Sequence, residues 1–349
     1  MVPEVLRFGG HAVKTWFGRL SAPYKLTFSL TTKCNLRCSS CNIWKQETTH
    51  ELTAAEIDTF FMRNPEIRWL DFTGGEIMLR GDLEDIIKSV KIRLPRLFQF
   101  HFPCNGTLPE RTERAVRLAV SLSIPKVVVS ISMDGPRDMH DTIRGKTGTW
   151  DSAVETYRRI RAISGVDVYF GMTLTHENVH HIEETLRDLQ RMIPGLSLRD
   201  LHINVAHSTF YYGDPEIVLP DHLEIRHVLR SIQKSRGFPS NPVLLLEWLY
   251  QRRIPSYLMH GTSPIACQAL SSSLFLMPDG SVFPCTSWDL PLANIREEEY
   301  DLHKLWNSAR ISRFVELIRK NECPGCWTPC EAYQSIIASL YRPRTWIPS

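Results

Sequence analysis

Cys34, Cys38 and Cys41 stand in the run Thr32-Lys-Cys-Asn-Leu-Arg-Cys-Ser-Ser-Cys-Asn-Ile-Trp44, a C-x3-C-x2-C spacing. Three thiolates from one short loop are one fewer than a [4Fe–4S] cluster takes, so a cluster held here keeps one iron open to another ligand. Structural zinc is the competing chemistry. It needs four ligands, and His50, nine residues beyond Cys41, is the nearest fourth. The context counts against zinc. The run Tyr24-Lys-Leu-Thr-Phe-Ser-Leu30 before the cysteines alternates like a strand, and a second strand-like run, Ile67-Arg-Trp-Leu-Asp-Phe72, ends in Thr73-Gly-Gly-Glu76. Glycines there let backbone approach a ligand closely, and a zinc scaffold requires neither feature.

A second set, Cys267, Cys285, Cys323, Cys326 and Cys330, gathers in the last third of the chain. Leu274-Phe-Leu-Met-Pro-Asp-Gly-Ser-Val-Phe-Pro-Cys285 reads as strand, Pro-Asp-Gly turn, strand. Cys323-Pro-Gly-Cys326-Trp-Thr-Pro-Cys330 supplies three more thiols, and a zinc ribbon is again the alternative use of its C-x2-C pair.

The elements that must position these groups alternate from residue 24 to about 205. Thr53 caps a helix from Leu52 to Phe61, with Glu56 completing a capping box. Helices near 82–90, after Pro109, at 150–163 and at 178–192 separate strands near 98–102, 126–132, 168–174 and 201–205. Six such β/α units predict a parallel sheet with helical crossovers. Six strands fall short of the eight of a closed barrel, which leaves a lateral mouth. Residues 206 to about 260 break the rhythm with a loop at 208–215 and helical stretches near 221–234 and 242–253, read as a bridge and partial lid.

The chain of 349 residues is 43% hydrophobic and 23% charged, the balance of a globular protein. A net charge of +3 gives no case for nucleic acid as a partner. No apolar run is long enough to span a membrane and no secretory signal opens the chain. Nine cysteines in such a chain point to metal ligands in a reducing, cytoplasmic setting. Leu6, Val13, Phe17 and Leu20 share one helical face, which suits a cap on the barrel better than membrane contact through residues 1–20.

The cysteine loop and the Gly-Gly-Glu run resemble the radical S-adenosylmethionine (radical SAM) superfamily, and the second cysteine set resembles its SPASM/twitch extension. The resemblance implies an α/β fold, a partial (β/α)6 TIM-like barrel, with a C-terminal iron–sulfur domain. It implies reductive cleavage of SAM to a 5′-deoxyadenosyl radical that abstracts hydrogen, chemistry that belongs to the cofactors while the protein orients and shields. By resemblance Cys34, Cys38 and Cys41 hold the SAM cluster, and Gly74, Gly75 and Glu76 bind the SAM amino group. Asn105, in Pro103-Cys-Asn-Gly-Thr107, and Ser132, in Ser130-Ile-Ser-Met-Asp-Gly135, lie by SAM; Asp134 shapes the turn, and Arg144 meets the SAM carboxylate. Cys104 replaces a threonine of the pattern. It is a candidate hydrogen-atom donor, with packing in the core as its other reading. Ser40 stands where an aromatic residue precedes the third cysteine, which puts an adenine-stacking contact in doubt.

The full SPASM pattern has seven cysteines for two clusters, and here there are five. They imply one auxiliary [4Fe–4S] cluster on Cys267, Cys285, Cys323 and Cys326, with Cys330 left over or exchanging with Cys323, and two clusters in the whole chain. The expected domains are 1–22 (cap), 23–206 (barrel), 207–261 (bridge or lid) and 262–349 (auxiliary cluster). The expected reaction is oxidation of a small or medium-sized substrate, with the auxiliary cluster as electron acceptor and flavodoxin or ferredoxin as electron donor. Only about two dozen residues precede the first strand, which favours a small molecule. A peptide maturase forming a crosslink or epimerising is the alternative. His176, His202 and His207, near strand ends, are candidate bases.

Overall fold

The computed structural model describes residues 20–46, 50–213 and 216–340. The proposed N-terminal cap lies outside them except for its last residues. Six parallel strands, β1 (Lys25–Ser29), β2 (Trp69–Thr73), β3 (Gln99–Cys104), β4 (Val127–Ser132), β5 (Val166–Leu174) and β6 (Leu201–Val205), pair in chain order. Between them run α1 (Ala54–Arg63), α2 (Leu83–Arg93), α3 (Pro109–Ser121), α4 (Arg137–Arg144), α5 (Thr149–Arg161) and α6 (Ile182–Met192). The expected capping box is present: the Glu56 N–H donates to Thr53 Oγ1 at 3.3 Å, and the Thr53 N–H donates to Glu56 Oε2 at 2.9 Å. Helix α4 was not expected, because Asp138, His140 and Arg144 break its apolar pattern.

The sheet does not stop at β1. A hairpin of β7 (Ser273–Leu276) and β8 (Ser281–Phe283), with β9 (Ala293–Asn294), continues it, and β7 lies parallel to β1 with Lys25 opposite Ser273. The hairpin that precedes Cys285 therefore shares one nine-stranded sheet with the barrel.

The opposite edge, β6, is covered as well. After α7 (His222–Arg236), helix α8 (Pro242–Gln251) lies along it, followed by α9 (Ile254–His260). The Ile203 N–H donates to Glu247 Oε1 at 2.8 Å, and Gln251 Nε2 donates to the Ile203 carbonyl at 3.3 Å. Side chains thus satisfy strand groups that an open edge leaves bare. The expected lateral mouth is closed at this point.

Burial separates the two faces of the strands. On β3, Phe100, Phe102 and Cys104 are buried against the helices, whereas Gln99, His101 and Pro103 are half-buried on the inner face. The same alternation places Ser130, Ser132, Tyr169, Thr173, His202 and Asn204 on that inner face. A packed TIM-type interior would carry branched apolar residues there. Here the lumen is polar and accessible.

Three further helices, α10 (Leu302–Trp306), α11 (Ala309–Arg319) and α12 (Pro329–Leu340), complete the chain. Helix α12 is tied to the barrel floor by Lys25, which is fully buried. Its ammonium lies 3.2 Å from Asp71 Oδ2 and donates to Gln334 Oε1 at 2.9 Å and to the Cys330 carbonyl. Burial pushes the Asp71 carboxyl up, but Lys25 and His101 overcome that and hold it at about 2. Removing one partner of a buried pair leaves the other charge uncompensated, so Lys25→Met is expected to lower the unfolding free energy by about 3–5 kcal/mol. Denaturant midpoints measured without oxygen check this. The double change Lys25→Met with Asp71→Leu should recover much of the loss, and an unchanged midpoint in the single variant would contradict the assignment.

Candidate functional site

The cysteine loop leaves β1 through Thr31, Thr32 and Lys33 and is held from three sides. The end of β2 lies directly on it: the Gly75 N–H donates to the Thr31 carbonyl at 2.7 Å and the Glu76 N–H to the Lys33 carbonyl at 2.8 Å. A side chain at either glycine has no room. A Cβ on Gly74 would stand 2.5 Å from the Thr31 carbonyl oxygen, and one on Gly75 2.2 Å from that of Lys33. From β3, Asn105 Nδ2 donates to Asn35 Oδ1 at 2.8 Å, and Asn35 Nδ2 donates to Thr107 Oγ1 at 2.8 Å. From α4, carbonyls at its C-terminus accept the Arg37 and Ser39 N–H groups, Ser39 donating to the Ile143 carbonyl at 2.9 Å. The side chain of Asn105 is thus engaged in positioning the loop.

Glu76 is 1% exposed, accepting from the Met78 N–H at 3.0 Å and the Asn105 N–H at 2.7 Å. Among the described residues it forms no ion pair, and burial pushes its carboxyl up to about 7. Such a carboxylate fits a ligand ammonium. Arg144 pairs with Asp134 at 2.5 Å and reaches Cys38 Sγ at 3.7 Å, while its buried Nε has no partner among the described residues. A free guanidinium N–H at this point fits a ligand carboxylate. Asp134 also accepts from the Thr173 N–H at 3.0 Å, so it joins β4, β5 and α4. Ser132 faces the lumen beside it. Burial raises the Cys34 and Cys41 thiols, the latter to about 11, and neighbouring Cys38 adds to both. Thiols so placed become thiolates when positive iron replaces the proton.

Cys104 does not join this group. It lies in the main core with Phe100 and Phe102 on the helix-facing side of β3, and burial raises its thiol. The hydrogen-donor reading is therefore replaced by packing.

The second cysteine set divides. Cys267, Cys285, Cys323 and Cys326 line one cavity together with Ser287, Trp327 and Thr328. Ser287 Oγ and Thr328 Oγ1, buried in its wall, turn toward the Cys326 thiol and hold its pKa down against the rise that burial causes. Four thiols are the ligand count of a cubane, and among the described residues no group of three or more His, Cys, Asp or Glu side chains is arranged to hold a single metal ion. Cys330 is not part of that lining. Its thiol is raised to about 12 by burial and feels Lys25, Asp71 and Tyr212 on the lumen side. The Tyr212 hydroxyl in turn meets Thr73 Oγ1 at 3.0 Å, next to Gly74.

The candidate bases also separate. His176 is exposed. Both ring nitrogens of His207 are engaged, Nδ1 with the Val205 carbonyl at 2.8 Å and Nε2 with the Trp327 N–H at 3.1 Å. His202 stacks on Tyr169 at 3.9 Å, burial lowers its pKa, and its Nε2 has no partner among the described residues. Lys25, Asp71 and His101, which sequence reasoning missed, form the lumen floor; His101 lies 3.4 Å from Asp71 and 3.1 Å from Ser130 Oγ. Their signal was present as charged or imidazole side chains inside strands flanked by Leu70, Phe72, Phe100 and Phe102.

The family model of the radical SAM superfamily matches residues 28–189, and that of an iron–sulfur cluster-binding domain, SPASM, matches residues 267–330. The chain belongs to the radical SAM superfamily. It is a radical SAM enzyme with a SPASM domain, and that membership implies SAM and iron–sulfur clusters. It is 24% identical over 328 residues to the antilisterial bacteriocin subtilosin biosynthesis protein AlbA of Bacillus subtilis, covering 87% of this chain and 67% of that one. It is 24% identical over 332 residues to the AdoMet-dependent heme synthase of Nitratidesulfovibrio vulgaris, covering 88% and 85%. The structure of anSMEcpe with bound AdoMet superposes with a TM-score of 0.62 at 16% identity over 84% of this chain and 83% of that one, a likeness of fold. Among the described residues no helix is long and apolar enough to cross a membrane.

A ligand ammonium stabilises the ionised form of Glu76, so binding must release its proton wherever the free carboxyl is protonated. SAM affinity is therefore expected to be flat above about pH 7 and to fall by up to roughly tenfold per unit below it. Calorimetric titration of the anaerobic holoenzyme reads this directly. Glu76→Gln should bind SAM weakly and without that slope; a slope that persists in the variant would assign the titration elsewhere.

Proposed function

We propose that the enzyme oxidises a peptide by two electrons at a carbon drawn into the polar lumen. The lumen carries the reading. Its inner face offers hydroxyl, amide and imidazole groups, and among the described residues its one lysine, Lys25, is already bound to Asp71. Peptide amides match such a surface. A tetrapyrrole with several carboxylates calls for unpaired cations there. The name of the bacteriocin-biosynthesis relative also supports a peptide. The small-molecule expectation rested on where the chain begins, which carries no weight.

Cys34, Cys38 and Cys41 would hold the SAM cluster, and Cys267, Cys285, Cys323 and Cys326 the auxiliary one. When bound, SAM and its cluster supply hydrogen abstraction, and the auxiliary cluster supplies an electron sink. The chain does the rest. Glu76 and Arg144 hold the two ends of the SAM amino-acid group, and the two glycines keep that pocket against the cysteine loop. Two-electron oxidation releases a hydrogen atom, a proton and an electron from the substrate. His202, whose pKa burial lowers and whose buried Nε2 has no partner among the described residues, would take the proton.

Anaerobically reconstituted protein is expected to hold about eight iron atoms. Changing Cys34, Cys38 and Cys41 together to alanine should remove roughly half. Cys326→Ala should keep SAM cleavage to 5′-deoxyadenosine and lose product, while Cys330→Ala should keep both clusters' paramagnetic signals. With dithionite, SAM and a synthetic peptide encoded beside the gene, mass spectrometry should show loss of two hydrogens from the peptide. Conversion of an iron porphyrin in its place would overturn the peptide reading, and stoichiometric zinc with little iron would overturn the cluster assignments.

A further inference from the structure

The helices that cover the β6 edge carry a groove of about 530 Å³ on their outer side, between α7 and α9. Arg226, Arg230 and Arg252 line it with His222 and His260, and no carboxylate side chain does. Asp221 stands at the rim, 3.3 Å from His222. Among the described residues none of the three arginines forms an ion pair, and Arg252 lies over the Trp248 ring at 4.4 Å. Three exposed guanidinium groups around one concavity, without acidic partners, focus positive potential into it.

A second observation lies behind the groove wall. Gln251 and Ser256, which line the groove, are the chain neighbours of Tyr250 and Tyr257. Tyr250 stacks on Trp327 at 5.8 Å with an interplanar angle of 17°, and Trp327 Nε1 donates to the Tyr250 carbonyl at 2.9 Å. Tyr257 stacks on His207 at 4.8 Å, and His207 accepts the Trp327 N–H. Trp327 itself lines the four-cysteine cavity and follows Cys326 in the chain. Aromatic and imidazole rings thus link helices α8 and α9, which carry one side of the groove, to the cysteine cavity.

We propose that this groove docks a small acidic one-electron carrier protein, which removes there the electron that substrate oxidation delivers to the auxiliary cluster. The inference rests on reading the four-cysteine cavity as that cluster's site. One electron leaves the cluster and one enters the carrier; no proton need move. An acidic peptide would use the charge but leave the ring layer without a role.

The test uses holoenzyme reduced with dithionite and oxidised flavodoxin as probe. Calorimetry gives the affinity, and stopped-flow absorbance gives the second-order rate of cluster reoxidation. Charge reversal at R226E, R230E and R252E together is expected to lower both at least about tenfold at low salt, and the parent's rate should fall as salt screens the charges. The variant's cluster signals, and its reoxidation by a small neutral quinone, should match the parent's, which excludes damage to the clusters. A triple variant that binds flavodoxin as the parent does would overturn the proposal. So would a groove that binds a poly-glutamate peptide but not flavodoxin. Absence of the auxiliary signal in the parent would instead defeat the cluster reading, and the calorimetric comparison would still decide whether an acidic carrier docks here.

Discussion

Lys25 governs how the two halves of the molecule meet. An ammonium with no access to water must find its whole hydration shell in protein, and this one finds it on two separate elements: Asp71 on β2, and the Cys330 carbonyl and Gln334 on α12. The arrangement fixes the helix start against the barrel floor. Gln334 extends the network, donating to Glu331 Oε2 at 2.6 Å and to Ser273 Oγ at 3.2 Å, on the hairpin strand that pairs with β1. With that helix start fixed, Cys330 faces Tyr212 and Lys25, and its four companions upstream are left to the cavity. One buried charge thereby divides five cysteines into a set of four and a remainder.

The proposed SAM pocket obeys the opposite rule. Glu76 is as buried as Lys25, yet its partners are two backbone N–H groups and no cation. Burial raises its carboxyl where pairing lowers that of Asp71. Two carboxylates five residues apart, one within β2 and one just past its end, thus sit in contrasting states because one has its cation built into the fold. A buried carboxyl with only backbone donors around it fits a ligand ammonium. Arg144 is the complementary case, satisfied by Asp134 on one side with Nε unmet on the other.

The barrel strands, the capping box at Thr53 and the hairpin at Pro278-Asp-Gly280 were legible because each depends on local pattern: apolar runs, a cap spacing, a turn dipeptide. Both cysteine groups were legible for the same reason. What sequence did not reveal depends on contacts between distant segments. Asp71 and His101 read as oddities inside apolar strands until Ser130, His202 and Asn204 are seen to share the inner face with them. Cys104 fits a motif position, but strand alternation turns it away from the lumen. Helix α12 begins at Pro329, where three cysteines and two prolines read as loop, and its inward face of Glu331, Gln334 and Ser335 has no apolar period to betray burial. His207 and His202 stand five residues apart near one strand, yet only the folded chain shows that Trp327 occupies one and leaves the other free.

Both edges of the sheet are put to use, and this links the lumen to the rest of the molecule. At β1 the sheet passes without a break into the hairpin that leads to Cys285. At β6 it ends on Glu247 and Gln251, whose helix also receives the Tyr333 hydroxyl on Glu247 at 2.7 Å from α12. Helices α8 and α12 therefore pack against each other, one anchored on the last barrel strand and the other on the first. The gap that six strands leave in a barrel is bridged by a polar contact between these two helices, and Trp327, just before α12, fills the space beneath Tyr250 of α8. A shift of α8 away from β6 would break the Glu247 bonds to both Ile203 and Tyr333 and uncover the Trp327 ring. The groups that close the barrel are thus also those that seat Trp327 in the wall of the four-cysteine cavity.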